Sequence, residues 1–174
     1  MNLIFTDGSC RGNPGPGSYA AIFVKNGTPT HIMKGYVPGS TTNNRMELIA
    51  IIMAMEVLIE KRDDLKGTGR IILYTDSLYA VNGINQYLKF WVVRNFKNVK
   101  NSDLWITANE RIRMVRELYE DQGIITFTWL KGHDTHRFNV MADEVCQGMH
   151  RRRLKETVFE YVAVNSIQEI PFKI

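Results

Sequence analysis

The stretch from Met46 to Ile59 constrains this chain more than any other. Its residues are good helix formers, apolar on nearly every side, and Glu47 and Glu56 are its only charges. A helix of that kind has no face to offer water, so it must be buried against a sheet. Thr41-Thr42-Asn43-Asn44 precedes it with side chains suited to an N-cap. The sheet comes from β-prone runs on both sides. Leu3 to Thr6 is one, stopping at Asp7-Gly8, and the glycines and prolines from Gly12 to Gly17 form a turn region after it. Tyr19 to Val24 is a second, and the Lys25-Asn26-Gly27 turn leads to a third from roughly His31 to Val37, so the opening third reads as an antiparallel meander. Beyond the helix, Arg70 to Thr75 is a strand ending at Asp76-Ser77, which can cap a second helix. Between Tyr87 and Asn101, Trp91 and Phe96 are interleaved with Lys89, Arg94, Lys97 and Lys100. Leu104, Ala108, Ile112, Val115 and Tyr119 recur at helical spacing and stop before Gly123; Ile124 to Leu130 is a β run; a last helix covers about Asn139 to Arg153. Three strands followed by alternating helices and strands predict an α/β fold with a mixed sheet and helices on its faces.

At 174 residues, with 44% hydrophobic, the chain suits one domain with one core and a tail. Its formal charge of +4 implies only a mild attraction toward polyanions. Cys10 and Cys146 are far apart in sequence, which argues against a disulfide scaffold and for a reducing compartment. Met1-Asn2 leads straight into Leu3-Ile4-Phe5 without the basic and long apolar parts of a leader, and no later stretch is long and apolar enough to span a bilayer. A soluble, cytoplasmic monomer is the expectation.

Four carboxylates carry the chemistry. Asp7 and Asp76 each end an apolar strand, where open α/β sheets place their ligand crevice, and neighbouring strands would face both into one site. Glu47 is in the first turn of the apolar helix, in line with Ala50, Ile51 and Ala54 on its buried side. Asp143 has a comparable place early in the final helix. Singly, each has an ordinary explanation as turn former, cap or partner of a helix dipole. Jointly, a converged cluster needs cations or protons, and hard oxygen ligands without a His or Cys set favour Mg²⁺ or Mn²⁺ over Zn²⁺. Convergence itself is not visible in the sequence.

Five motifs in order resemble those of type 1 ribonucleases H: Thr6 to Gly17, Thr42 to Leu48, Tyr74 to Ser77, Asn101 to Trp105, and Trp129-Leu130-Lys131-Gly132-His133 followed by Asn139 and Asp143. The resemblance covers about residues 1 to 155, which it marks as the catalytic domain, and leaves 156 to 174 as a tail. It implies a ribonuclease H-like fold with a five-stranded mixed β-sheet flanked by α-helices. It also implies an endonuclease that hydrolyses the RNA strand of RNA/DNA hybrids, leaving 5′-phosphate and 3′-hydroxyl ends. Asp7, Glu47, Asp76 and Asp143 would hold two Mg²⁺ ions, with Mn²⁺ as substitute, one ion activating the attacking water and the other stabilising the leaving oxygen, and Asp7 bridging them. His133 would assist proton movement or product release, while His136 has no such context.

By the same resemblance, Asn13, Asn43 and Asn44, with backbone near Cys10 and Glu47, would contact 2′-hydroxyls, which distinguish RNA from DNA. Thr42, Asn101 and Arg45 would hold a phosphate of the DNA strand. Capping by Thr42 and Asn43 and turn formation by Asn13 are compatible with those roles. The segment from Tyr87 to Lys100 resembles a duplex-gripping basic protrusion, shorter than the bacterial form. Leu78 stands where Gln is common, and Val140 where an acid is common. Arg151-Arg152-Arg153 reads as a solvated helix end. In the tail, Val158 to Val164 is β-prone. Gln168-Glu169-Ile170-Pro171-Phe172 resembles the peptide by which replication enzymes dock on sliding clamps, through Gln168, Ile170 and Phe172; packing onto the domain is the favoured reading for this tail.

Overall fold

The computed structural model describes residues 2–63, 69–120, 124–131 and 136–164. Its elements are β1 (Asn2–Cys10), β2 (Gly15–Lys25), β3 (Thr28–Thr41), α1 (Asn43–Glu60), β4 (Ile71–Thr75), α2 (Leu78–Asn82), α3 (Leu88–Val93), α4 (Ser102–Leu118), β5 (Ile125–Trp129), α5 (Arg137–Arg151) and β6 (Val158–Ala163). A π-helical turn, Gly83–Tyr87, joins α2 to α3.

The strands form one mixed sheet in the order β5-β4-β1-β2-β3-β6. β1, β2 and β3 make the expected antiparallel meander, and β4 and β5 add to β1 in parallel. The sheet has six strands among the described residues, where the family resemblance implied five. The sixth is the β-prone stretch after the last helix: it pairs antiparallel with β3, from Tyr36↔Val158 to His31↔Ala163. Glu160 in its middle bonds to Lys34 at 3.1 Å and Arg152 at 2.6 Å, securing it at the sheet edge.

Two apolar layers flank the sheet. The larger packs α1 and α4 on one face, with Met46, Ile51, Met55, Leu58, Trp105 and Ile112 among its buried residues. The smaller sets Phe138, Met141 and Ala142 of α5 on Phe5, Ile22 and Val24. α1 has buried residues over most of its circumference because the sheet lies on one side and α4 on another, with Arg45, Ile49, Met53 and Glu56 left as a half-buried stripe, which explains its almost unbroken apolar sequence. Gly83 is a place where only glycine fits, since a Cβ there would lie 2.0 Å from the Trp105 ring. No helix among the described residues is long and apolar enough to cross a membrane.

Several boundaries differ from the sequence reading: β2 begins at Gly15, inside the expected turn region, and β3 runs from Thr28 to Thr41, beyond both His31 and Val37. β1 does not stop before Asp7 but continues to Cys10, because Asp7, Gly8, Ser9 and Cys10 pair with Ala20, Tyr19, Ser18 and Gly17 of β2. Part of the mixed segment after Tyr87 is helical, as α3.

Candidate functional site

Strand register brings the first two carboxylates together. Thr6↔Thr75 is the last pairing between the parallel strands β1 and β4, so Asp7 and Asp76 are the next residues on adjacent strands. Gly8 then admits the third. A Cβ on Gly8 would lie 2.3 Å from the backbone nitrogen of Glu47, so the bare strand lets the first turn of α1 press directly on β1. Thr42 starts that turn, its side-chain oxygen accepting from the Arg45 N–H at 3.4 Å. One carboxylate oxygen from each of Asp7, Glu47 and Asp76 lies within 4.8 Å of the others. Asp143, on α5, lines the same cavity of about 400 Å³, and its carboxylate accepts from Gln147 Nε2 at 3.3 Å.

The electrostatics follow from this crowding. Asp7 is pushed up to about 7, first by burial and then by the Asp76 charge, with Asp143 adding to it. Burial drives Glu47 well above its ordinary value, and the charges of Asp7 and Asp76 reinforce that. Two unit charges about 4 Å apart repel by roughly 4 kcal/mol at an effective dielectric of about 20, so the metal-free site holds protons. Cys146, buried beneath Asp7, donates to its backbone carbonyl at 3.4 Å, and burial with the nearby Asp7 charge keeps its thiol un-ionised. A divalent cation suits this donor set: carboxylate oxygens only, gathered from β1, α1 and the residue just past β4, with no nitrogen or sulfur ligand among the three that converge.

Several of the other expected site residues are bonded around the start of α1. Asn13 Oδ1 accepts from the Asn43 N–H at 3.1 Å, joining the β1–β2 turn to the start of α1; Asn43 and Asn44 are exposed in that first turn. Cys10 Sγ donates toward the carbonyls of Gly15 and Thr41, each at 3.3 Å. Arg45 connects α1 to the start of α4, with one guanidinium nitrogen 3.3 Å from Asn101 Oδ1 and both paired to Asp103. Asn101, in a left-handed conformation, also donates to the Tyr79 hydroxyl at 3.0 Å. Thr42, Arg45 and Asn101 therefore lie close together. Leu78 is 52% exposed, and Val140 lines the cavity beside Asp143. His133 lies outside the described residues, as do Gln168, Ile170 and Phe172.

Residues that sequence reasoning passed over support the acids. Thr75 Oγ1 accepts from the Ser77 N–H at 3.1 Å and is 3.5 Å from Glu47 Oε2, and Trp129 donates from its indole to the Asp76 carbonyl at 3.0 Å. Both belong to motifs quoted above, but their effect runs through backbone geometry that a motif does not display.

The sequence profile of the RNase H family matches residues 1–150. The chain is 40% identical over 149 residues to Ribonuclease HI of Vibrio cholerae serotype O1, a match spanning 83% of this chain and 85% of that protein. It is 40% identical over 160 residues to Ribonuclease H of Actinobacillus succinogenes, spanning 88% and 93%. Among solved structures, LC11-RNase H1 in complex with RNA/DNA hybrid superposes with a TM-score of 0.62 at 24% identity, covering 86% of this chain and 99% of that one.

Proposed function

Since the chain belongs to the RNase H family, we propose that it cuts the RNA strand of RNA/DNA hybrids endonucleolytically, at a divalent-metal site formed by Asp7, Glu47, Asp76 and Asp143. The observation that carries this reading is the convergence of three carboxylates from β1, α1 and the end of β4 within 4.8 Å. Proteins do not hold such a cluster against its own repulsion unless cations or protons compensate it. Mg²⁺ is the cofactor we assign, with Mn²⁺ as substitute; when bound, such ions lower the pKa of attacking water and stabilise charge on the leaving oxygen.

The chain's own residues position the substrate and handle protons. Asn13, Asn43 and Asn44 present amides that both donate and accept, the requirement for reading a 2′-hydroxyl, and the Asn13–Asn43 bond holds that face together. Thr42, Arg45 and Asn101 offer donors suited to a phosphate of the uncut strand. His133, ten residues before Asp143, accepts or delivers the proton that water and product exchange; His133→Ala lowers kcat with KM for hybrid unchanged, and an unchanged kcat removes it from the reaction. Residues 1–155 constitute the catalytic unit, acting as a cytoplasmic monomer. A sliding-clamp contact through Gln168, Ile170 and Phe172 is tested by titrating the full chain, and a variant with these three residues replaced by alanine, into a purified clamp; equal binding of both removes the idea.

The deciding assay follows one end-labelled strand in each of three duplexes: the RNA strand in RNA/DNA and in RNA/RNA, and a DNA strand in the matching DNA/DNA. Cleavage of the hybrid alone, dependent on Mg²⁺ or Mn²⁺ and abolished by chelator, is the expected result. Equal cleavage of duplex RNA points instead to a general nuclease on this fold, and tight hybrid binding without cleavage to a binding module.

A further inference from the structure

The three converging carboxylates are not equally held. Asp7 is inside β1, with a rung of the β1–β2 ladder at its own position, and Glu47 is within α1. Asp76 is in neither a strand nor a helix, since β4 ends at Thr75 and α2 begins at Leu78. Its place beside two other acids therefore depends more than theirs on what holds its own backbone. The β4–β5 ladder closes with Thr75↔Trp129, and a last backbone bond runs from the Leu130 N–H to the Thr75 carbonyl at 2.9 Å. The Asp76 carbonyl lies one residue beyond that rung. Its partner is a side chain: the Trp129 indole N–H, at 3.0 Å. On the other side of the same peptide, the Ser77 N–H is taken by the Thr75 hydroxyl at 3.1 Å.

We propose that Trp129 is a positioning residue for the metal site, adding a side-chain rung to the β4–β5 ladder that fixes the backbone of Asp76 so that its carboxylate stays beside those of Asp7 and Glu47. This rests on the metal-site reading above and deepens it. The indole is 41% exposed, so it is not retained merely as core filling, and the donor it uses is absent from every other large aromatic side chain except through a differently placed hydroxyl. Fixing Asp76 in advance removes an ordering cost from cation binding, and that is the quantity Trp129 controls.

Trp129→Phe keeps an aromatic ring and deletes the donor. Calorimetric titration of wild type and Trp129→Phe with Mn²⁺, without substrate, reads the effect directly. The loss of one partly exposed hydrogen bond predicts an Mn²⁺ dissociation constant raised roughly threefold to tenfold. Cleavage should follow: a higher metal concentration for half-maximal rate, kcat nearly restored at saturating metal, and KM for hybrid unchanged. Thermal unfolding with chelator identifies the folded range for both proteins, so that affinities are compared between folded forms. Thr75→Val, which removes the hydroxyl on the opposite side of the peptide, should shift Mn²⁺ affinity the same way, and Thr75→Ser should restore it. Equal Mn²⁺ affinity of wild type and Trp129→Phe overturns the proposal, as does a raised KM with unchanged metal affinity, which would mean that the indole touches substrate. Failure of the wild type itself to bind Mn²⁺ would instead sink the metal-site reading.

Discussion

Asp7→Asn should inactivate the protein and, at the same time, stabilise it when metal is absent. Asparagine matches the shape of a protonated aspartic acid and carries no charge to bury. Asp7 keeps its proton up to about pH 7 in the fold, whereas its ordinary value is 3.8. Between those values the folded protein holds a proton that the unfolded chain has released. Stability from this group is therefore complete below pH 4 and is lost as pH rises toward 7, at up to ~1.4 kcal/mol per pH unit. The full difference is ~4 kcal/mol, an upper bound because Glu47 and Asp76 share the repulsion and the site can relax. For a domain of this size, 1 kcal/mol moves Tm by about 2–4 °C. In chelator, Asp7→Asn should thus melt above wild type at pH 8, by at most about 8–16 °C, with the gap closing near pH 4. Mg²⁺ at pH 8 should raise the wild-type Tm more than that of the variant, because only the wild type has the full ligand set. Scanning calorimetry across that pH range checks this. An Asp7→Asn protein no more stable than wild type at pH 8, or a gap that ignores pH, refutes the claim that carboxylate crowding strains the metal-free fold.

Other contacts carry consequences of their own. Gly8→Ala drives a methyl into the backbone of Met46 and Glu47, so α1 must retreat from β1; denaturant unfolding should show a loss of about 1–3 kcal/mol, and hybrid cleavage should fall far more than that loss explains. His150 is buried edge-on to Tyr36, and burial with nearby Arg11 holds its pKa below the usual histidine value, with a backbone contact at Ser9 opposing them. The unfolded chain therefore binds the extra proton first, so this contribution to stability is present above about pH 6.5 and is lost as pH falls below it; His150→Phe should flatten that part of the pH–stability curve. Removing residues 156–174 takes away β6 and the Glu160 ion pairs, which are partly exposed and worth about 1 kcal/mol or less each. The shortened protein should unfold at lower denaturant but cleave hybrid at close to the full-length rate at 25 °C.

Legibility in the sequence varied with the range of the interactions involved. The apolar run of α1, the Thr42 cap and the meander β1–β2–β3 were readable because helix and strand periodicity and turn chemistry are local signals. The placement of Asp76 just past a strand was readable as well, whereas Asp7, expected to end its strand, lies inside β1. Their adjacency was not readable: it depends on the Thr6↔Thr75 register, a pairing across 69 residues of chain. Gly8 looked like a turn glycine after a strand that had ended. It is instead a strand residue whose missing Cβ lets α1 approach, a reason visible only once β1 and α1 are packed. The sixth strand was legible as β-prone, yet its partner, β3, lies more than 120 residues earlier in the chain. Trp129 and Thr75 carried no signal as supports, since their partners are a carbonyl and an amide that every sequence has.

A bound cation should settle among the converged carboxylates, and its position is directly observable. Crystals grown without divalent ions and soaked in Mn²⁺, measured at the manganese absorption edge, should show anomalous density in contact with carboxylate oxygens of Asp7, Glu47 and Asp76, on the side facing Asp143. A pocket without manganese signal in crystals that bind the ion elsewhere, or side chains turned away from a common centre, would contradict the metal-site assignment.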